Sequence, residues 1–340
     1  MLILGIETTC DETAASVVRD GHEILSNVIA SQIALHRPYG GVYPELASRS
    51  HINSLTPVLE LALSHAKVSK QDIDLISVAK GPGLIGSLLI GLNAAKALSF
   101  AWEKPFVGVN HVEAHLYASM MGQTNPTLPA LGVVLSGGHT FLVLIEELGS
   151  YKLLGTTVDD AIGEAFDKVA IMLGLSYPGG PAIEKLAESG DHLKHKFKAG
   201  TVKERPLDFS FSGLKTNVYY MIHGQNGKEL TANTLSESEK ADIAASFQYT
   251  AFSDVIRKAK VAAKQFGCKA IYFGGGVSNN KALRAQFAAE KLDIPLYWPS
   301  FGLSLDNAAM IAGLGFHVFE RKGRQGDPLS LEPETRIPLS

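Results

Sequence analysis

The sequence predicts an α/β protein of two lobes built on one plan. Three observations carry this. Apolar strand-like runs alternate with Gly-rich turns and helical patterns, as in an α/β fold. The opening recurs: Leu4-Gly5-Ile6 precedes Thr13 at the spacing at which Leu131-Gly132-Val133 precedes Thr140, and both stretches read strand, polar loop, strand. The length, 340 residues, suits two domains of ~150 residues better than one.

In the first lobe (1–125), Leu2–Glu7 is an apolar run and Thr13–Arg19 is rich in β-formers. Asp20-Gly21 is a two-residue hairpin signal before His22–Ala30. The polar loop Thr8–Glu12 separates the first two strands. A helical pattern covers Pro44–Ala66, with a disturbance expected at Pro57. Strand Leu75–Ala79 leads through Gly81-Pro82-Gly83 into a small-residue helix ending at Trp102. That apolar stretch contains Asn93 and Lys96, and Lys near a bilayer centre costs ~2.5–3.5 kcal/mol. A buried helix is expected there, not a membrane span. Strand Phe106–Val109 runs straight into helix His111–Met121, and the Pro-rich stretch Gln123–Pro129 closes the lobe.

The second lobe (126–325) carries a helical insertion around 160–265. Its helices are Asp160–Leu173, Ala182–Ser189, Ser212–Ile222 and Ser236–Phe266. Strand Ala270–Phe273, the run Gly274-Gly275-Gly276 and a helix from Asn280 follow. The tail, 326–340, is charged, contains Pro and Gly, and is expected to be loose.

Composition narrows the function. Hydrophobic residues at 46% and charged residues at 19% exclude a disordered chain. A net charge of −3 excludes nucleic-acid binding by bulk charge and leaves only a local basic patch. Two Cys argue against a disulfide framework and suit a reducing cytosol. No basic segment precedes the first apolar run, which Glu7 cuts short, so no signal peptide is read and a cytoplasmic location is expected.

Three Gly-rich loops suit phosphate or nucleotide. They are Ser136-Gly137-Gly138-His139-Thr140, Gly179-Gly180, and Gly274 to Asn280 before a helix N-terminus. Each can equally be an ordinary turn. Neither the dinucleotide fingerprint nor the Walker pattern is present. His111 and His115 stand at i and i+4, on one helix face, where both imidazoles can reach one metal. Glu113 is misplaced for a zincin motif. Asp306 opens an apolar helix and reads either as a third ligand or as an N-cap. Two His and one carboxylate leave open positions, which suits Fe(II) or catalytic zinc. His192 and His195 sit in a Lys-rich polar stretch and read as a solvated loop. Lys194, Lys196, Lys198, Lys203 and Arg205 form a basic cluster; Arg257, Lys258, Lys260 and Lys264 form a second run.

Together these motifs resemble the bacterial tRNA N6-adenosine threonylcarbamoyltransferase family (the TsaD family, formerly glycoprotease-like). The likeness covers nearly the whole chain. It rests on Glu7 to Thr13, Gly41 to Arg49, Gly81 to Leu84, His111 to His115, Ser136 to Thr140, Phe166-Asp167-Lys168, Tyr177 to Pro181, Gly274 to Asn280, and Asp306-Asn307. Leu305 and Lys80 depart from the family's usual residues beside these motifs.

The resemblance implies the actin, sugar kinase and Hsp70-like (ASKHA) fold with duplicated lobes. It implies metal ligands at His111, His115 and Asp306, holding one Fe2+ per subunit with Zn2+ as the alternative. It implies substrate or nucleotide contacts at Val134, Leu135, Ser136, Gly137, Gly138, Asp167, Gly180 and Asn280; Glu184 is an acid suited to a ribose hydroxyl. Threonylcarbamoyl-AMP is the implied donor and the adenosine beside the tRNA anticodon the acceptor. Asp11 reads as the catalytic base or amine-orienting group, or else as a turn residue. The implied partners are tRNA, a paralogous non-catalytic subunit of the TsaB type and a P-loop ATPase of the TsaE type, with no membrane. Two other enzyme classes compete: an O-carbamoyltransferase using a carbamoyl-adenylate, and a metallopeptidase.

Overall fold

Two five-stranded sheets organise the chain, and both follow one strand plan. The computed structural model describes residues 1–123, 125–224, 235–300 and 302–336. Sheet 1 holds β1 (Leu2–Glu7), β2 (Glu12–Arg19), β3 (Glu23–Ser31), β4 (Leu75–Gly81) and β5 (Phe106–Asn110), in the order β3-β2-β1-β4-β5. Sheet 2 holds β6 (Ala130–Leu135), β7 (Thr140–Glu147), β8 (Ser150–Thr156), β9 (Ile271–Gly274) and β10 (Leu296–Tyr297), in the order β10-β9-β6-β7-β8. Within sheet 1, β1 pairs antiparallel with β2 and parallel with β4; within sheet 2, β6 pairs antiparallel with β7 and parallel with β9. The recurrence holds to the residue. Gly5 faces Ser16 and Leu4 faces Val17, while Gly132 faces Val143 and Leu131 faces Leu144. This is the duplicated plan of the ASKHA fold.

The chain divides into two compact units. The first is Met1–Pro126, Leu148–Ser150 and Trp298–Ser340; the second is Thr127–Glu147 and Tyr151–Tyr297. The second lobe was expected to run to 325, so 298–325 is a correction. It contains α10 (Ala308–Arg321), which packs on β1 and β2 of sheet 1. Gly5 makes the contact: a Cβ there would stand 2.3 Å from the Ala308 carbonyl oxygen, so only Gly lets this helix lie so close. Nor is the tail loose through 336. The Asp327 N–H donates to the Phe106 oxygen, Gly108 N–H donates to the Asp327 carboxylate, and Glu334 N–H donates to the Lys80 oxygen. The tail thus gives partners to backbone groups of edge strand β5, at Phe106 and Gly108, and of β4, at Lys80. Residues 337–340 of the expected loose tail, and 225–234 of the expected insertion, lie outside the described residues.

Local chemistry explains the elements of the first unit. Asp20 and Gly21 both take positive φ, the two-residue turn that matches strand twist. Helix α2 (Pro44–Ala66) runs unbroken through Pro57, contrary to the expected disturbance. Pro57 lies on the exposed face together with Asn53, whose carbonyl water can satisfy. Between β3 and α2, α1 (Ile33–His36) is a single turn. Helix α3 (Ile85–Trp102) buries one face, Ser87, Leu88, Gly91, Leu92 and Ala95, and leaves Ile85, Leu89 and Phe100 exposed. Helix α4 (His111–Ala118) leaves β5 without a loop because Asn110 caps it, its Oδ1 accepting from the Val112 and Glu113 N–H groups.

The second unit's helices are α5 (Ile162–Met172), α6 (Gly179–Ala187), α7 (Ser212–His223), α8 (Glu237–Gln265) and α9 (Lys281–Ala289); α8 packs on β6, and α6, α7 and α9 pack on α8. Ser236 and Glu239 form a full capping box on α8. Helix α6 begins three residues earlier than expected. Gly179, Gly180 and Pro181 form its first turn, where the N–H that Pro lacks has no intrahelical partner to lose.

Candidate metal centre and nucleotide loops

The first unit gathers His111, His115 and Asp306. Their ligand atoms all lie within 4.8 Å of one another. His115 Nε2 is 3.0 Å and His111 Nε2 3.6 Å from Asp306 Oδ1, and the rings meet edge to face at 4.6 Å. Helix α4 sets both imidazoles on one face, one turn apart. Asp306 is not the cap of α10. Asn307 takes that position, its Oδ1 accepting from the Met310 N–H, which leaves the Asp306 carboxylate to the histidines. Glu113 lies 3.6 Å from the Arg321 guanidinium. The donor set suits a metal: two imidazole nitrogens and one carboxylate converge, and the outer nitrogen of His111 is already engaged.

That outer partner is Glu7. The carboxylate at the end of β1 is fully buried, and its Oε2 lies 2.9 Å from His111 Nδ1. Its Oε1 accepts the Thr9 N–H at 2.5 Å. Burial opposes a charge on His111, but Glu7 and Asp306 outweigh it and hold the imidazole up to about 9 in the absence of metal. The sequence reading gave Glu7 no role. Its only signal was an acid ending an otherwise apolar strand.

Asp11 lies in the loop after β1. Burial, then the charge of Asp306, pushes its carboxyl above the usual range. Two buried histidines, neither given a role from sequence, hold this loop. The Nε2–H of His51 donates to the Cys10 oxygen at 3.0 Å, and its Nδ1 lies 2.7 Å from Thr13 Oγ1. Burial lowers the His51 pKa, which suits the neutral ring these two bonds require. His36 Nδ1 accepts the Tyr43 N–H, and Gln32, beside His36, gives its N–H to the Asp11 oxygen. Glu12, next to Asp11, is pushed up to about 8, chiefly by burial, and its Oε2 has no partner among the described residues.

The second unit brings the Gly-rich loops together. Ser136 N–H donates to the His139 oxygen and Ser136 Oγ accepts the His139 N–H, closing a turn that leaves Gly137 and Gly138 exposed. Thr140 Oγ1 accepts the Ile162 N–H and so caps α5. Gly163, in the first turn of α5, gives its N–H to the Ser136 oxygen. Gly275 presses on the same turn: its Cβ would stand 2.5 Å from the Leu135 oxygen. Val134 and Leu135 are wholly buried strand residues, so their side chains are closed to a ligand. A ligand here meets the exposed backbone from Ser136 onward.

Asp167 Oδ1 accepts the Gly179 N–H at 2.7 Å. Burial raises its pKa, opposed by the Gly179 and Gly180 amides. The amide of Gly180 stands in the first turn of α6, with nothing within 4 Å of where its Cβ would be. Glu184 accepts the Lys281 N–H, which brings α6 against Asn280. Asn280 is itself occupied: Oδ1 caps α9, and Nδ2 donates to Gln248.

Both basic runs lie in this unit. Lys194, Lys196, Lys198, Lys203 and Arg205 are exposed, and Arg205 pairs with Asp208 at 2.9 Å. The second run is not a free basic strip. Lys258 is buried against Asp254 with Nζ 4.5 Å from the Phe209 ring centre, Arg257 also pairs with Asp254, and Lys260 pairs with Glu290.

The repeated sheet plan and the two-His, one-carboxylate cluster define the class: an ASKHA-type α/β protein with a candidate metal centre in its first unit. A solved structure agrees on the fold. Full-length HypF, in a phosphate- and nucleotide-bound form, superposes with a TM-score of 0.63 at 15% identity, over 94% of this chain and 46% of that one. The family described as TsaD, tRNA N6-adenosine threonylcarbamoyltransferase, matches residues 23–313, and the chain belongs to it. The tRNA N6-adenosine threonylcarbamoyltransferase of Protochlamydia amoebophila (strain UWE25) is 60% identical over 341 aligned residues, covering 100% of this chain and 98% of that protein. The one from Dictyoglomus turgidum (strain DSM 6724 / Z-1310) is 46% identical, with 98% of each covered.

Proposed function

We propose that this chain transfers a threonylcarbamoyl group to the N6 amine of adenosine in tRNA, as a tRNA-modifying acyltransferase. Near-complete alignment with relatives bearing that name supports the reading. The observation that carries it is the meeting of His111, His115 and Asp306 in one cluster of such a chain. The donor is threonylcarbamoyl-AMP, the acceptor is the adenosine beside the anticodon, and the protein works in the cytoplasm with subunits of the TsaB and TsaE types.

His111 and His115, through Nε2, and Asp306, through Oδ1, would hold Fe2+ or Zn2+, which supplies Lewis-acid polarisation when bound. Asp11 orients the N6 amine and takes its proton at a carboxylate oxygen as nitrogen bonds to the carbonyl carbon and the bond to AMP breaks. A carboxyl raised by burial is a better proton acceptor than a solvated one. The Gly137 and Gly138 amides bind phosphate, and the first turn of α6 adds N–H groups at Gly180. The exposed cluster Lys194–Arg205 contacts tRNA phosphates.

The test is reconstitution: this chain with its partner subunits, the adenylate-forming enzyme, threonine, bicarbonate, ATP and tRNA, followed by mass spectrometry of tRNA nucleosides. The expected product is N6-threonylcarbamoyladenosine. Carbamoylation of small hydroxyl acceptors with unmodified tRNA would overturn the reading.

A further inference from the structure

We infer that Glu7 is a positioning residue that couples the metal ligand His111 to the loop carrying Asp11. The inference rests on the metal reading of the His111, His115 and Asp306 cluster. A bond to the outer N–H of a metal-ligating imidazole selects the tautomer and aims the ligating lone pair; His111 has such a partner, whereas His115 Nδ1 is buried with none among the described residues. Glu7 Oε2, 2.9 Å from His111 Nδ1, holds the proton on Nδ1 and leaves Nε2, the nitrogen facing Asp306, as the donor atom. The other oxygen, Oε1, accepts the N–H of Thr9, two residues before Asp11. Thr9 Oγ1 also lies 3.4 Å from His111 Nδ1. One carboxylate thus touches both the ligand and the loop.

Stability alone does not account for this carboxylate. Glu7 is fully buried, and a buried charge pair is weak evidence for stability because desolvation offsets the attraction. The loop has other anchors. Thr8 Oγ1 donates to the Ser87 oxygen, Leu84 N–H donates to the Thr9 oxygen, and His51 holds Cys10. What these cannot do is set the His111 tautomer.

The experiment measures metal binding, independent of turnover. Wild type, Glu7→Gln and His111→Ala are stripped, then titrated with Co2+ and Zn2+ against a competing chelator. Wild type is expected to bind one ion and His111→Ala none. Glu7→Gln should bind one ion about 10- to 100-fold more weakly, with an altered Co2+ absorption spectrum. Its amide can donate to Nδ1, favouring the tautomer whose Nε2 carries the proton. Unchanged affinity and spectrum in Glu7→Gln, with a loaded wild type, would overturn the inference while leaving the metal centre standing. A wild type that takes up no ion would overturn the metal centre and the inference with it. Should Glu7→Gln fail to fold, nitrogen-15 spectra of zinc-loaded wild type decide. His111 metallated at Nε2 and protonated at Nδ1 supports the inference; the reverse overturns it.

Discussion

Replacing Gly275 by Ala should destabilise the second unit and disturb the Ser136–His139 turn, while replacing Gly137 by Ala should leave stability intact. Gly275 has φ 84° and ψ 159°, a region essentially reserved for Gly, and forcing a side chain into it costs ~1–3 kcal/mol. The added Cβ would also stand 2.5 Å from the Leu135 oxygen and 2.7 Å from its carbonyl carbon. Those atoms belong to β6, held between β7 and β9, so they cannot yield cheaply. Overpacking of this kind costs a further ~1–3 kcal/mol. The sum, ~2–6 kcal/mol, lowers the melting temperature by at least about 4 °C at ~2–4 °C per kcal/mol. Gly137 has nothing within 4 Å of its Cβ position, so its substitution should stay within ~0.5 kcal/mol. Because Gly275 bears on Leu135 and Ser136, its variant should also bind AMP more weakly. Calorimetric melts paired with AMP titrations check both. A Gly275→Ala protein melting within about 1 °C of wild type, or a Gly137→Ala protein that melts early, would refute the reasoning.

His111→Ala and His115→Ala should each lose stoichiometric metal without unfolding, and metal analysis alongside circular dichroism checks this. Neutralising Lys194, Lys196 and Lys198 together should weaken tRNA binding and reduce the log–log salt slope by up to ~0.9 per lost phosphate contact, with metal content unchanged; filter binding across a salt series is the measurement. Glu12→Gln should remove a pH dependence of stability. The folded pKa, about 8, lies above the ordinary 4.5, so the folded protein holds this proton more tightly than the unfolded chain. That advantage is complete below pH 4.5 and is lost as pH rises to 8. The metal-free variant should therefore match wild type near pH 4.5 and exceed it above pH 8 by on the order of 3–5 kcal/mol, read from melts across that range.

The fold was legible where the determining signal is local. Asp20-Gly21 specifies a hairpin from two residues, and the Gly-rich run after β9 marks the turn into α9. The unbroken α2 was not legible, because whether Pro57 breaks a helix depends on which face it occupies and whether water reaches the freed carbonyl. The return of α10 was hidden for a similar reason. Ala308 to Leu314 reads as buried on all sides, yet nothing in those residues says which sheet buries them. The answer lies in Gly5, at the other end of the chain, whose missing side chain makes room. The tail misled because it has neither helical nor strand periodicity, though Phe106 of β5 and Lys80 of β4 accept its backbone N–H groups.

The candidate site divides along the same line. His111 and His115 are four residues apart, so one helical turn makes them neighbours wherever the helix lies. Asp306 stood open between ligand and helix cap, and only the structure shows that Asn307 caps α10 and frees Asp306. Glu7 and His111 are 104 residues apart, and His51 and Cys10 are 41 apart, so no local pattern joins them. An i,i+4 pair of histidines is common by chance in a chain with eleven of them. What favours the ligand reading here is a third donor within reach and an acceptor for the outer nitrogen of one ring, which the fold alone supplies. His111 has both, in Asp306 and Glu7. His192, in the Lys-rich loop, is exposed and packs its ring on Tyr249 instead. The two stretches look alike as histidines spaced along a chain; the buried carboxylate behind one of them makes the difference.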